Sequence, residues 1–366
     1  MNEKIRVLIV EDSEALLQLL VRAFEQDSRF IVAGVARNGQ EAIDKTLLLK
    51  PDVITMDLIM PKVDGFEAIR QIMSRKPTPI VVVTAANDSQ NSFDAVKAGA
   101  LEVVSKPTSV NTPEGAKTIT AILEKAKIMS GVKVLTRKAH IFPTSSGPLA
   151  QPDKFLNSFN EFDTPMPRTQ LRLPSIRLSS IPKIVAIASS TGGPPALSKV
   201  LTHIGKGFPL PILIVQHITP GFGQGLISWL AQTIGSHIVE AKEDTLPMSG
   251  YTYIAPDNYH LLMDIKGRIK LSSALPIKGH RPSANPLFES VAQYYGPSAI
   301  GVVLTGMGDD GVLGMKVLKQ AGGFCIAQDE ASSVVYGMPK AVADAGLADV
   351  VLGLNSIGSY LLKLVS

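Results

Sequence analysis

The chain has 366 residues, 45% of them hydrophobic and 19% charged, with a formal net charge of +4. That length points to two domains of ordinary size with substantial cores, and the small net charge gives no warrant for nucleic acid as a partner. A single cysteine, Cys325, excludes an internal disulfide or a cysteine metal cluster. No apolar run approaches the ~18 residues of a membrane span. Charged Glu11 and Asp12 interrupt the first apolar stretch where a secretory leader needs its core, so a cytoplasmic protein is expected.

In chain order, Ile5 to Val10 reads as a buried strand, and Glu14 to Gln26 carries Leu16, Leu17, Leu20, Val21 and Phe24 at helical spacing. The alternation repeats: strand 30–36, helix 39–49, strand 53–56, helix 65–74, strand 80–83, helix 92–99 and strand 101–104. Such βα alternation predicts a doubly wound parallel sheet over residues 1–125. Glu11, Asp12, Asp57, Thr84 and Lys106 all fall at the carboxyl ends of these strands, where open α/β sheets place their sites. Three clustered carboxylates repel one another unless a cation neutralises them, and an all-oxygen set suits Mg2+. Asp57 then has the position of a carboxylate nucleophile towards phosphate, with Lys106 pairing the phosphoryl group and Thr84 sensing it. This constellation, ending in Lys106-Pro107, resembles the receiver domain of response regulators. The resemblance implies a flavodoxin-like fold and phosphotransfer to Asp57 from a histidine kinase. Val103 stands where that family often has an aromatic switch residue, three positions before the lysine.

A helix over 117–129 closes this domain. From 126 to 180 the periodicity fades into a connector with prolines at 143, 148, 152, 165, 167 and 174. Its apolar residues, such as Phe155, Phe159 and Phe162, leave open a segment that packs along both domains.

Residues 181–366 form the second predicted domain. Its reference point is the apolar run Lys183 to Ser189, which enters a small-residue turn, Ser190-Thr191-Gly192-Gly193, and then a helix beginning near Pro194. A serine here sits like a nucleophile beside backbone N–H groups that have no intrahelical partner. A strand over 210–215 ends in Gln216-His217, and one over 299–304 ends in Thr305-Gly306-Met307-Gly308-Asp309-Asp310-Gly311. A serine hydroxyl needs an imidazole to take its proton and a carboxylate to orient that imidazole. His217 alone among six histidines caps a buried strand; Asp309 and Asp310 compete for the carboxylate role. Between 237 and 273 the short runs 251–254, 260–263 and 269–271 read as hairpin-like insertions rather than further α/β units.

Taken together, Ala188-Ser189-Ser190-Thr191-Gly192-Gly193, Gln216-His217, Tyr253-Ile254-Ala255-Pro256 with His260, His280-Arg281-Pro282-Ser283, the Gly306 to Gly311 loop and Gly337-Met338-Pro339 resemble the chemotaxis protein-glutamate methylesterases. Receiver, linker and esterase is also that family's order. The resemblance implies a Rossmann-like catalytic domain with a β-hairpin insertion and a triad of Ser190, His217 and Asp310. It implies oxyanion donors at the Thr191 and Met307 backbone N–H groups, and no cofactor at this second site. The implied substrates are glutamate methyl esters on the cytoplasmic helices of chemoreceptors, and the family often deamidates specific receptor glutamines as well. Asp309 falls where the family often has Ala or Asn, and Asn285 where it often has Asp. Two other readings remain: a phosphorylation-dependent binding module without catalysis, and a hydrolase of a small ester or amide. A transcription factor is disfavoured because no basic recognition-helix pattern follows the receiver.

Overall fold

A computed structural model describes residues 3–85, 89–107, 112–132, 134 and 180–366. Most of the expected connector, 135–179, lies outside the described residues.

Five strands, β1 (Ile5–Val10), β2 (Phe30–Ala36), β3 (Val53–Met56), β4 (Ile80–Thr84) and β5 (Glu102–Ser105), form a sheet of order β2-β1-β3-β4-β5. Every pairing in it is parallel. Helices α1 (Glu14–Gln26), α2 (Gly39–Leu49), α3 (Gly65–Arg75), α4 (Ser89–Ala98) and α5 (Pro113–Ser130) make the crossovers. Because helices cover both faces, the strands are near-continuously apolar, and β3 and β4 are buried along their whole length. Side-chain caps start three of the helices: Asn38 accepts from the Glu41 N–H, Asp64 from that of Glu67, and Thr112 from that of Gly115. The last of these, with Pro113 in the first turn, starts α5 four residues before the expected 117.

The second sheet has seven strands in the order β14-β13-β12-β6-β7-β9-β8, again all parallel. They are β6 (Ile184–Ser189), β7 (Ile212–Gln216), β8 (His237–Glu240), β9 (Tyr251–Ile254), β12 (Ala299–Val303), β13 (Phe324–Gln328) and β14 (Val350–Leu352). The flanking helices are α6 (Gly193–Ile204), α7 (Gly223–Ile234), α8 (Ala284–Tyr295), α9 (Val312–Gln320), α10 (Met338–Asp344) and α11 (Leu354–Val365). Among the described residues, only β10 (His260–Met263) and β11 (Ile269–Ser272) form an antiparallel hairpin. The hairpin-like reading of 237–273 therefore holds for this pair, whereas β8 and β9 extend the parallel sheet. Strand β14 also escaped the sequence; at three residues it carries too little pattern to detect.

Strand β6 lies at the centre, with β7 on one side and β12 on the other. The chain leaves β6 towards β7 and returns much later to β12, which opens a crevice at their carboxyl ends. Both sheets and their helices fall in one compact unit. Between them, Phe93 of α4 stacks on Trp229 of α7, ring centroids 5.7 Å apart and planes 20° apart, and both side chains are buried.

Candidate active site

The crevice beside β6 holds the serine turn. Ser190 is buried, and its N–H donates to the Thr305 carbonyl at 3.0 Å. The buried Gln216 ties this turn to the end of β7. Its Oε1 accepts from Ser189 Oγ at 2.6 Å, and its Nε2 donates to the carbonyls of Ser190 (2.8 Å) and His217 (2.7 Å). Gly306 packs directly on the nucleophile turn: a Cβ there would stand 2.8 Å from Ser190 Cβ and 3.0 Å from its nitrogen. Only glycine permits that approach.

His217 follows β7, and its Nε2 lies 2.8 Å from Asp310 Oδ2. Asp310 is buried, and four further donors hold it. Ala284 N–H reaches Oδ2 at 2.7 Å; Ser283 Oγ (2.7 Å), Asn285 Nδ2 (2.8 Å) and the Gly311 N–H (3.0 Å) reach Oδ1. Burial pushes its carboxyl up, but the His217 hydrogen bond and charge, followed by Ala284 and Ser283, pull it down to about 2. An ionised carboxylate only accepts, so His217 Nε2 must carry the hydrogen, and whenever the ring is neutral Nδ1 keeps its lone pair. That Nδ1 is buried with no hydrogen-bond partner among the described residues. The choice the sequence left open is also answered in space. Asp310 meets the imidazole, whereas the exposed Asp309 pairs with Lys278 at 2.6 Å.

A second imidazole, His280, stacks on His217 with centroids 4.0 Å and planes 5° apart. Burial first, and His217 next, hold its pKa below the ordinary histidine value, favouring the neutral ring.

The Thr191 and Met307 N–H groups donate to no partner among the described residues. Thr305 braces the loop between them, its Oγ1 donating to the Thr191 carbonyl at 3.0 Å while its N–H is held by Gln328 Oε1 at 2.8 Å. Thr191 also receives a contact from the first sheet's side: Lys125 Nζ, on α5, lies 2.9 Å from Thr191 Oγ1 and 2.8 Å from Glu102 Oε2.

At the carboxyl edge of the first sheet, ligand atoms of Glu11, Asp12 and Asp57 lie within 4.8 Å of one another. Lys106 Nζ bridges Glu11 Oε1 (3.0 Å) and Asp57 Oδ2 (2.8 Å). Burial, reinforced by the Asp57 charge, raises the Glu11 carboxyl to about 7, and burial also raises that of Asp57. Two buried carboxylates held away from comfortable ionisation, with an exposed third beside them, form a hard-oxygen set that a divalent cation relieves. Thr84 is buried at the end of β4 with its carbonyl accepting the Lys106 N–H at 2.8 Å, and Val103 is buried within β5.

All ten sequence-derived residues thus lie in two crevices, each at the carboxyl end of a parallel sheet. Several supporting residues had no assigned role in the sequence, among them Gln216, His280, Asn285 and Lys125. Gln216 and His280 lay inside recognised motifs, and Asn285 stood out as a departure from one. Lys125 carried no signal, being one of several lysines along a helix.

The family description "CheB methylesterase" matches residues 185–361, and "Response regulator receiver domain" matches residues 7–114. Among curated proteins, the chain is 41% identical over 363 residues to "Protein-glutamate methylesterase/protein-glutamine glutaminase 4" of Myxococcus xanthus, covering 98% of this chain and 97% of that one. It is 38% identical to the protein-glutamate methylesterase/protein-glutamine glutaminase of Nitrosospira multiformis, covering 99% and 97%. Among solved structures, the Thermotoga maritima CheB methylesterase catalytic domain is 38% identical, with a TM-score of 0.49, covering 50% of this chain and all of that one.

Proposed function

Since the chain belongs to the protein-glutamate methylesterase/protein-glutamine glutaminase family, with a response-regulator receiver at its front, we propose that Ser190, His217 and Asp310 hydrolyse glutamate methyl esters on the cytoplasmic helices of chemoreceptors. The observation that carries this reading is the His217–Asp310 pair, its Nδ1 without a partner among the described residues, joined across the ends of β7 and β12, the two strands that flank β6 and the Ser190 turn. His217 Nδ1 takes the Ser190 proton as the hydroxyl attacks the ester carbonyl. The tetrahedral oxyanion is held by the N–H groups of Thr191 and Met307. The imidazolium, stabilised by Asp310, protonates the departing methoxide, which leaves as methanol. Water then repeats the sequence and releases the glutamate. Glutamine deamidation uses the same steps with ammonia as the leaving group.

In the receiver, Glu11, Asp12 and Asp57 would hold Mg2+, whose charge would neutralise that of an incoming phosphoryl group. Lys106 pairs the phosphoryl oxygens, the Thr84 hydroxyl senses them, and a histidine kinase of the chemotaxis type supplies phosphate to Asp57. The Lys125 contact at Thr191 supports a receiver that occupies the rim of the esterase site until phosphorylation shifts the equilibrium. The receiver, to the end of α5 at Ser130, then acts as switch, the residues from there to 180 as connector and 181–366 as enzyme. No described helix is long and apolar enough to cross a membrane, in keeping with a cytoplasmic site of action.

The test is methanol release from methylated receptor membranes by the intact chain and by Ser190→Ala, each with and without a small phosphodonor and Mg2+. Release that requires Ser190 and rises with phosphodonor is expected. Release that survives Ser190→Ala, or none from protein with phosphorylated Asp57, refutes the proposal.

A further inference from the structure

Asn285 stands at a position with no assigned role, and the structure seats it against the carboxylate of the proposed triad. It lies in the first turn of α8, 5% exposed, and bonds at both ends of its amide. Its Oδ1 accepts the Gly314 N–H of α9 at 2.9 Å, and its Nδ2 donates to Asp310 Oδ1 at 2.8 Å. The Gly314 N–H can only donate, so the amide has one orientation and the NH2 group must face Asp310. The approach of α8 to α9 is correspondingly close: a Cβ on Gly314 would stand 2.6 Å from the Asn285 carbonyl oxygen. Ser283 Oγ and the Ala284 N–H complete a clamp made by the opening of one helix, whose partial positive charge favours a carboxylate there.

We infer that Asn285 is a positioning residue: it fixes the plane of the Asp310 carboxylate so that Oδ2 faces His217, and it does so with a donor that never titrates. This inference rests on the triad reading above. The chemistry at this position follows from what a carboxyl would have to do. An Asp at 285 keeps the Gly314 bond through one oxygen, but it donates to Asp310 only while protonated. Two carboxyls in contact share one proton and lose it as pH rises, after which they repel. With Asn the clamp is the same at every pH. The other ionisable groups around it are His217, His280 stacked on that ring, His260, which accepts the Ser283 N–H at 3.1 Å, the exposed Lys278–Asp309 pair, and Lys125. On the two helices themselves, the nearest ionisable residues in sequence are Glu289 and Lys316.

The experiment measures kcat and KM for methanol release against pH, using the full-length chain with phosphodonor and comparing wild type with Asn285→Asp, Asn285→Ala and Ser190→Ala. Asn285→Ala is expected to lower kcat about 10- to 100-fold, the worth of a buried hydrogen bond to a charge, with KM unchanged. Asn285→Asp, nearly isosteric and so safe for folding, is expected to match wild type on the acid side. It then loses kcat on the alkaline side through an ionisation the wild type lacks. The downfield proton resonance of the His217–Asp310 bond should broaden over that same range. Two results overturn the inference alone while Ser190 remains essential: both Asn285 variants following the wild-type curve, or KM rising with kcat intact, which would make Asn285 a substrate contact. Turnover that persists in Ser190→Ala overturns the triad reading and this one with it.

Discussion

Lys125→Ala is the most informative single substitution in the receiver. Lys125 Nζ lies 2.9 Å from the hydroxyl of Thr191, the residue next to the nucleophile, and 2.8 Å from Glu102 on the strand beside its own helix. Its side chain is 25% exposed and that of Glu102 is 14% exposed, so solvent screens the pair only in part. A hydrogen bond from a charged donor is worth about 1.5–3 kcal/mol, and partial exposure discounts this to about 1–2 kcal/mol. If the contact helps hold the site covered, its loss multiplies the uncovered fraction by about 5- to 30-fold while the covered form dominates. Basal methanol release, assayed without phosphodonor, should rise by that factor. The phosphorylated rate should stay level, because Lys125 has already left Thr191 in that state. Glu102→Gln, which frees Lys125 without removing it, should raise the basal rate little. The reasoning fails if Lys125→Ala melts at the wild-type temperature and reaches the wild-type phosphorylated rate, yet shows an unchanged or lower basal rate.

Two further outcomes follow from the site geometries. Asp310→Asn replaces a five-fold hydrogen-bonded carboxylate with an amide that cannot favour the Nε2–H tautomer, and kcat should fall about 1,000- to 10,000-fold, with KM little changed in steady-state assays. A fall of less than about tenfold would remove Asp310 from the triad. In the receiver, the Glu11 carboxyl is raised to about 7, so the folded state holds its proton more tightly than the unfolded chain. Its stabilising contribution is complete below the ordinary glutamate range and is lost as pH rises through about 7, and Mg2+ must compete with that proton. Mg2+ affinity by calorimetry should therefore climb as pH rises to about 7 and then level off. The gain in melting temperature from Mg2+ should be largest above that pH. An affinity constant between about pH 5 and about pH 8 would contradict this account.

What the sequence conveyed and what it withheld divide along physical lines. Buried parallel strands are mostly apolar, so β1, β3, β6 and β12 stood out, and with them the polar residues at their ends. Strand β9 was misread, and β8 was not picked out, for a specific reason. Only ten residues (241–250), without a helix, separate two strands that pair in parallel, a connection length and make-up that usually signals a hairpin. Asp309 and Asp310 were inseparable by composition; only the fold turns one to His217 and the other to Lys278. Gln216, Asn285 and Lys125 act through partners 25 to 66 positions away, and no local pattern encodes such pairings.

The central place of β6 has a consequence for synthesis. Its partner β12 begins at Ala299, more than a hundred positions further along the chain, while the receiver is complete by Ser130. On the ribosome the switch therefore exists before the serine it would govern has been translated. Until β12 is made, β6 can pair with β7 on one side, while the N–H and C=O groups of its other edge have no strand to meet. An open strand edge of this kind is a template for wrong pairings between chains. The emerging protein should thus lean most heavily on chaperones during the stretch in which α8 and β12 are being made, a window that slower translation would lengthen.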